Sequence, residues 1–262
     1  MAARAIWKAR IRLRDVTVPV KLFSAIEDRK VHFRLLHAKD RVPVTQHMVD
    51  PRTEKPVPAE SIRRGVETGP GDIVMLTAEE LHDLEPEDSR EIVILRFIDI
   101  NRINRQWYDR PYYLGPDGDP LPYFALVGAL EKENKEGIAR WTMRKTTYHG
   151  ALRFYDRYLM LTTLRPAGEV IAASELPRPQ GRPLDPRELQ MAAQLVRALE
   201  GDFDPGRFQD EYRQRILELV AKKARGETVS FKKAPRRRTE VVSLADMLGK
   251  SVRRVKKERK IA

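Results

Sequence analysis

The sequence predicts a mainly β chain of the α+β class: a β-barrel core interrupted by one long arm, then C-terminal helices and a basic tail. Three observations predict it. Short alternating or branched apolar segments recur as far as Leu164, joined by turns too short for crossovers, which favours antiparallel strands closing into a barrel. The 33 residues from Lys39 to Gly71 contain no Phe, Tyr or Trp but five prolines and three glycines, so they fit no element of that barrel. Beyond Pro186 the apolar spacing becomes helical.

Taken in order, Trp7 to Arg14 alternates strictly, with Trp7, Ala9, Ile11 and Leu13 on one face and Lys8, Arg10, Arg12 and Arg14 on the other. Four like charges on one strand face repel, and an anion opposite them would relieve that strain; a solvated face is the competing reading. Val16 to Leu22 predicts a second strand burying Val16, Val18 and Val20, with Pro19 favouring an edge or a strand end. Val31 to Leu36 predicts a third, with Val31, Phe33 and Leu35 inward and His32 and Arg34 outward. After the arm, Ile73 to Leu76 resumes a strand, and Thr77 with Glu80 forms a capping box for a short helix that must stop before Pro86. Glu91 to Ile100 is rich in branched residues and predicts a strand buried on both faces.

Trp107 to Leu114 is extended, and Gly115 to Gly118 turns the chain. Tyr123, Leu126, Val127 and Leu130 are spaced for a helix that Gly137 would cap. Strands follow around Ile138–Met143, Ala151–Phe154 and Leu159–Leu164. Pro177 to Pro186 is a linker. Asp185-Pro186-Arg187-Glu188 opens a helix with Leu189, Ala192, Ala193, Val196 and Leu199 as its stripe, and Asp204-Pro205 opens a second carrying Phe208, Tyr212, Ile216 and Leu219. The expected domains are 1–176 for the barrel with the arm at 39–71, 177–225 for the helices and 226–262 for the tail.

Charge separates the tail from the rest. The chain carries a net +12, and from Lys222 to Ala262 there are 15 Lys/Arg against four acids, a net of +11 that leaves the body near neutral. Such a segment raises affinity for polyanions and is expected to be largely disordered when free. The arm is mixed, with six basic residues against five acidic. No stretch is long and apolar enough to span a membrane and no signal peptide is recognisable, so the expected location is cytoplasmic.

Catalytic chemistry is not legible. There is no cysteine, and His32, His37, His47, His82 and His149 show no metal-ligand spacing. Glu85, Glu87 and Asp88 could suggest a nuclease metal site, but they surround a proline at a helix end, where carboxylates are ordinary. No cofactor, metal or catalytic residue is expected.

Several segments in series carry a resemblance. Arg4-Ala5-Ile6-Trp7-Lys8, Val16-Thr17-Val18-Pro19-Val20-Lys21-Leu22 and Val31-His32-Phe33-Arg34-Leu35-Leu36-His37 are followed by Tyr108-Asp109-Arg110-Pro111-Tyr112-Tyr113-Leu114, Gly201-Asp202-Phe203-Asp204-Pro205 and Asp210-Glu211-Tyr212-Arg213. Together they resemble prokaryotic Ku, the DNA-end-binding family of non-homologous end joining. The resemblance implies a Ku-type β-barrel core whose bridging arm closes a ring around duplex DNA in a homodimer. It also implies C-terminal helices that help dimerise, a nucleoid-associated location, and recruitment of an ATP-dependent DNA ligase D. Many members carry a Cys-x-x-Cys pair in the arm; Met48-Val49-Asp50-Pro51-Arg52 stands there in this chain, so a zinc ribbon is not available. Members also tend to have small or apolar residues where this chain has Arg10, Arg12 and Arg14.

A ring that threads DNA must be blind to sequence, so its contacts are expected to be phosphate contacts from Lys and Arg. The expected DNA-binding residues are Lys8 and Arg34 on strands, Lys39, Arg41, Arg52, Lys55, Arg63 and Arg64 in the arm, and Lys232, Lys233, Arg236, Arg237, Arg238, Arg253, Arg254, Lys256 and Lys257 in the tail. Val242, Leu244, Met247 and Leu248 are the expected ligase contacts. The alternative is a basic nucleic-acid-binding protein that forms no ring and acts through its tail.

Overall fold

In the computed structural model the alternation at the N-terminus becomes β1 (Trp7–Leu13), which buries Ala9 and Ile11 and exposes Lys8, Arg10 and Arg12. The described residues are 4–181, 183, 185–227, 249 and 251. A two-residue turn with Arg14 at φ 51 leads into β2 (Val16–Ser24), because positive φ lets so short a turn follow the twist of its strands. β2 buries Val18, Val20 and Leu22, whereas Val16 is exposed beside the turn.

Five further strands complete the barrel: β5 (Glu91–Asp99), β6 (Tyr108–Pro116), β7 (Lys135–Met143), β8 (Thr146–Tyr155) and β9 (Tyr158–Leu164). They run in the closed order β1-β2-β6-β9-β8-β7-β5. All neighbours are antiparallel except β1 and β5, whose parallel pairing of Arg10 with Glu91 through Arg12 with Val93 closes the cylinder. Pro19 therefore lies on a strand paired on both sides, not on an edge, one residue before the β6 ladder begins at Val20.

Ile11, Val20, Leu22, Ile92, Leu114, Leu152, Leu159 and Leu161 are fully buried in the barrel core. The helix α2 (Leu121–Glu133) packs on β2, β7 and β8, and Tyr123, Val127 and Leu130 are its buried face. The buried Tyr123 hydroxyl donates to the Leu114 carbonyl at 2.5 Å and accepts from the Leu159 amide at 3.1 Å.

Several expectations give way. α2 ends at Asn134, which takes the left-handed conformation (φ 51); Gly137 lies inside β7, where its missing Cβ leaves room for the Phe97 ring. β5 is not buried on both faces: Ile92 is fully buried, but Leu95 and Phe97 are exposed where no layer covers them. Val31–Leu36 forms no strand; Phe33 and Leu35 are 69% and 61% exposed, and one bridge from Leu36 to Pro43 is the pairing found there. Its alternation matches a strand pattern, but the barrel closes without it.

A hairpin missed in the sequence, β3 (Arg64–Gly69) with β4 (Asp72–Leu76), follows the irregular part of the arm, and Gly71 turns it at φ 85. The capping box of Thr77 and Glu80 then starts α1 (Ala78–Asp83) as expected.

Residues up to Arg29 and Phe33–Glu175 form one unit; Lys30–His32 and the described residues from Leu176 onward form another. In the second unit, α3 (Pro186–Ala198) opens on the reciprocal Asp185 and Glu188 capping box. α4 (Glu211–Ala224) starts later than Asp204-Pro205 suggests. Those two residues open a single 3₁₀ turn, and Asp210 caps α4 instead by accepting from the Arg213 amide. Leu189 and Val196 on α3, Leu199 at its C-cap and Tyr212 on α4 are exposed.

Candidate nucleic-acid interface

The arm is irregular without being shapeless. Prolines remove amide donors and polar residues give little to bury, so local hydrogen bonds set its form. Two loops result. In the first, the bridge from Leu36 to Pro43 closes a loop that presents Lys39 and Arg41, both exposed. The Asp40 carboxylate holds it from within, 2.7 Å from His37 Nδ1 and 3.2 Å from the Val42 amide that donates to it. These contacts keep the Asp40 carboxyl below its ordinary pKa, the His37 contact first.

The second loop repeats the plan. A bridge from Val49 to Pro56 closes it, the Asp50 carboxylate accepts from the Arg52 amide at 2.9 Å, and Arg52 and Lys55 stand exposed. Arg41 and Glu54 complete these turns in left-handed conformations, at φ 61 and 57. Each loop thus offers two cations on a backbone braced by its own aspartate.

At the foot of the arm, Arg63 and Arg64 line an open groove of about 760 Å³ with Thr77, Glu79, His82, Glu85 and Lys145. Arg63 turns its guanidinium back onto the chain, donating to the Glu60 carbonyl at 2.5 Å and the Ile62 carbonyl at 3.1 Å. Across the groove the Glu85 carboxylate lies 2.6 Å from Lys145 Nζ and 3.0 Å from His82 Nδ1. Lys145 is the leading cause that holds the Glu85 carboxyl below its ordinary pKa. Glu85 is thereby occupied by cations of the chain itself, and among the described residues no cluster of three potential metal ligands occurs.

Of the expected strand residues, Lys8 is well exposed on β1 and shares Asp117 with Lys21, at 3.2 and 3.0 Å. Both contacts lower the Asp117 carboxyl pKa, that from Lys21 more. Arg34 is exposed, in irregular chain and not on a strand. Lys8 belongs to the barrel wall, and Arg34 precedes the arm that holds Lys39, Arg41, Arg52, Lys55, Arg63 and Arg64. The tail cations Lys232, Lys233, Arg236, Arg237, Arg238, Arg253, Arg254, Lys256 and Lys257, and the apolar Val242, Leu244, Met247 and Leu248, lie outside the described residues.

Apolar exposure accompanies the charge. Phe33 and Leu35 in the irregular chain before the arm, Met48 within it, and Ile73 and Met75 on β4, are each more than 60% exposed. Sequence reading missed those on the hairpin because the polar β3 hides the pairing that exposes them. It also passed over Lys145 and weighed Glu85 only as part of an acidic cluster, because the two are far apart in sequence and meet only through the fold.

A family model described as the Ku70/Ku80 beta-barrel domain matches residues 12–191. The chain is 38% identical over 231 residues to non-homologous end joining protein Ku 2 of Geotalea uraniireducens (strain Rf4), covering 88% of this chain and 90% of that protein. It is 36% identical over 252 residues to non-homologous end joining protein Ku of Anaeromyxobacter sp. (strain K), covering 95% and 85%. Over 270 residues it is 34% identical to the protein of the same name from Coxiella burnetii (strain RSA 331 / Henzerling II), covering 100% and 98%.

Proposed function

This chain belongs to the Ku family, and from that premise we propose that it binds the ends of double-stranded DNA without regard to sequence, as a ring-shaped homodimer in non-homologous end joining. It protects and bridges the ends and recruits an ATP-dependent DNA ligase D through its C-terminal segment. The protein acts by binding and does no chemistry on the DNA itself.

The observation that carries this reading is the arm, which combines exposed cations with exposed apolar side chains. Lys39, Arg41, Arg52 and Lys55 stand on braced loops, a form suited to phosphates and not to base edges. Met48 in the arm, with Phe33 just before it and Ile73 and Met75 just after it, gains from burial that a second copy of the chain supplies. Cations toward the duplex and apolar contacts toward the partner arm are the two requirements of a closed ring.

Exonuclease digestion of a blunt linear duplex tests the reading. Saturating protein should delay digestion from both ends and do so equally for different terminal sequences. Digestion at the rate of naked DNA would contradict it.

A further inference from the structure

We infer that the outer barrel wall over β1, β5 and β7 is a phosphate-binding track for the backbone of duplex DNA, built from residues outside the arm. This deepens the reading above and rests on it. The track consists of Lys8, Arg10, Arg12, Arg90, Arg140 and Arg144, all exposed.

Strand register brings them together. Alternation on β1 places Lys8, Arg10 and Arg12 on one face, recurring about every 6.6 Å. The parallel closure sets Arg12 beside Val93, and Val93 pairs with Arg140, so Arg12 and Arg140 share that face two strands apart, about 10 Å. At the end of the same strands Lys8, Arg90 and Arg144 line an open groove of about 410 Å³ with Ser89 and Thr142. The sequence alone could not assemble this set, because the closure joins residues some 80 positions apart.

Three observations favour phosphate as the occupant. First, the cations are under-compensated: Arg12 pairs with Glu91 at 2.9 Å and Lys8 with Asp117, but Arg10, Arg90, Arg140 and Arg144 have no ion pair among the described residues. Asp88 is the one carboxylate in the groove lining. Second, five of the six are arginine, whose planar fork matches phosphate oxygens in pairs. Third, Ser89 and Thr142 stand in the groove lining beside Lys8, Arg90 and Arg144, and hydroxyls of this kind donate to phosphate oxygens. An acidic protein partner fits less well, since β1 and β7, which carry four of the six cations, have no large exposed apolar residue to anchor one, and the exposed Leu95 and Phe97 of β5 lie beyond its pairing with β1.

The test is the salt dependence of duplex binding by the full chain, read by fluorescence anisotropy. In the triple variant R10Q/R90Q/R144N the slope of log K against log salt should fall by about 2 to 3, at about 0.9 for each phosphate no longer neutralised. Replacing the same three by lysine should restore most of it. R157N, which changes the equally left-handed and exposed Arg157 in the β8–β9 turn, should leave the slope as in the wild type. If the triple variant fails to fold, R90Q alone should lower the slope by about 0.9.

A wild-type slope in these variants, or the same fall in R157N, overturns the track. Loss of ligase binding with an unchanged DNA slope would also overturn it and assign the wall to a protein. A lowered slope in a protein whose wild type shows no preference for ends would leave the track standing and remove the ring.

Discussion

The Tyr108 hydroxyl donates to both carboxylate oxygens of Glu136, at 3.0 and 2.9 Å, and Glu136 is only 1% exposed in the wall of the barrel. Burial pushes the Glu136 carboxyl above its ordinary pKa, against the opposing pull of the Tyr108 bond and the Arg153 charge. Burial also raises the Tyr108 phenol to about 12, with Glu136 adding to it. A group whose folded pKa is raised favours the fold below its unfolded pKa and loses that contribution as pH rises through the folded value. The buried carboxyl of Glu136 therefore costs stability once pH rises above the ordinary carboxylate range, and Glu136→Gln should stabilise the barrel at neutral pH while bringing no gain in acid. Ultraviolet titration of the phenol should show Tyr108 ionising at lower pH in that variant. An unchanged phenol titration would mean that Glu136 does not set it.

Tyr123 joins α2 to two strands through one buried hydroxyl. Tyr123→Phe leaves the Leu114 carbonyl and Leu159 amide without that partner, which should lower stability by about 1–3 kcal/mol. Denaturant unfolding measures it. A change below about 0.5 kcal/mol would show that those backbone groups are satisfied otherwise.

The contact of Glu85 with Lys145 ties the end of α1 to the β7–β8 turn. The Glu85 pKa is lowered, so its contribution is present above the ordinary carboxylate range and is lost as pH falls through the folded value. Hydrogen-exchange protection in α1, corrected for the intrinsic amide rate at each pH, should fall in acid and in Glu85→Gln at neutral pH, with the β8 and β9 amides unaffected. Equal protection of α1 in both proteins would contradict a tie through this pair.

The barrel was legible where burial leaves a pattern, since β1 and β2 announce themselves by period and β7, β8 and β9 by apolar density. Its closure was not, because a parallel contact between Arg10 and Glu91 leaves no local signature. Val31–Leu36 misled for the opposite reason: its alternation is real, but no sheet receives it. The polar Arg64–Gly69 gave no strand signal, so Ile73–Leu76 was legible as a strand but its hairpin partner was not. The arm cations were legible as charges. The braces that Asp40 and Asp50 provide required coordinates.

The central claim is that the chain encircles DNA, so access to an end must decide binding. The measurement is competition in a gel shift between a linear duplex and a sealed circle of the same length and sequence. Deleting residues 226–262 should flatten the salt slope by several units at about 0.9 per phosphate, because the tail's cations go with it, while the preference for the linear form survives. The account predicts that the linear duplex displaces bound probe and the circle does so poorly, with and without the tail. A circle that competes as well as the linear form would contradict threading, and a preference that disappears with the tail would take the ring away from the barrel and arm.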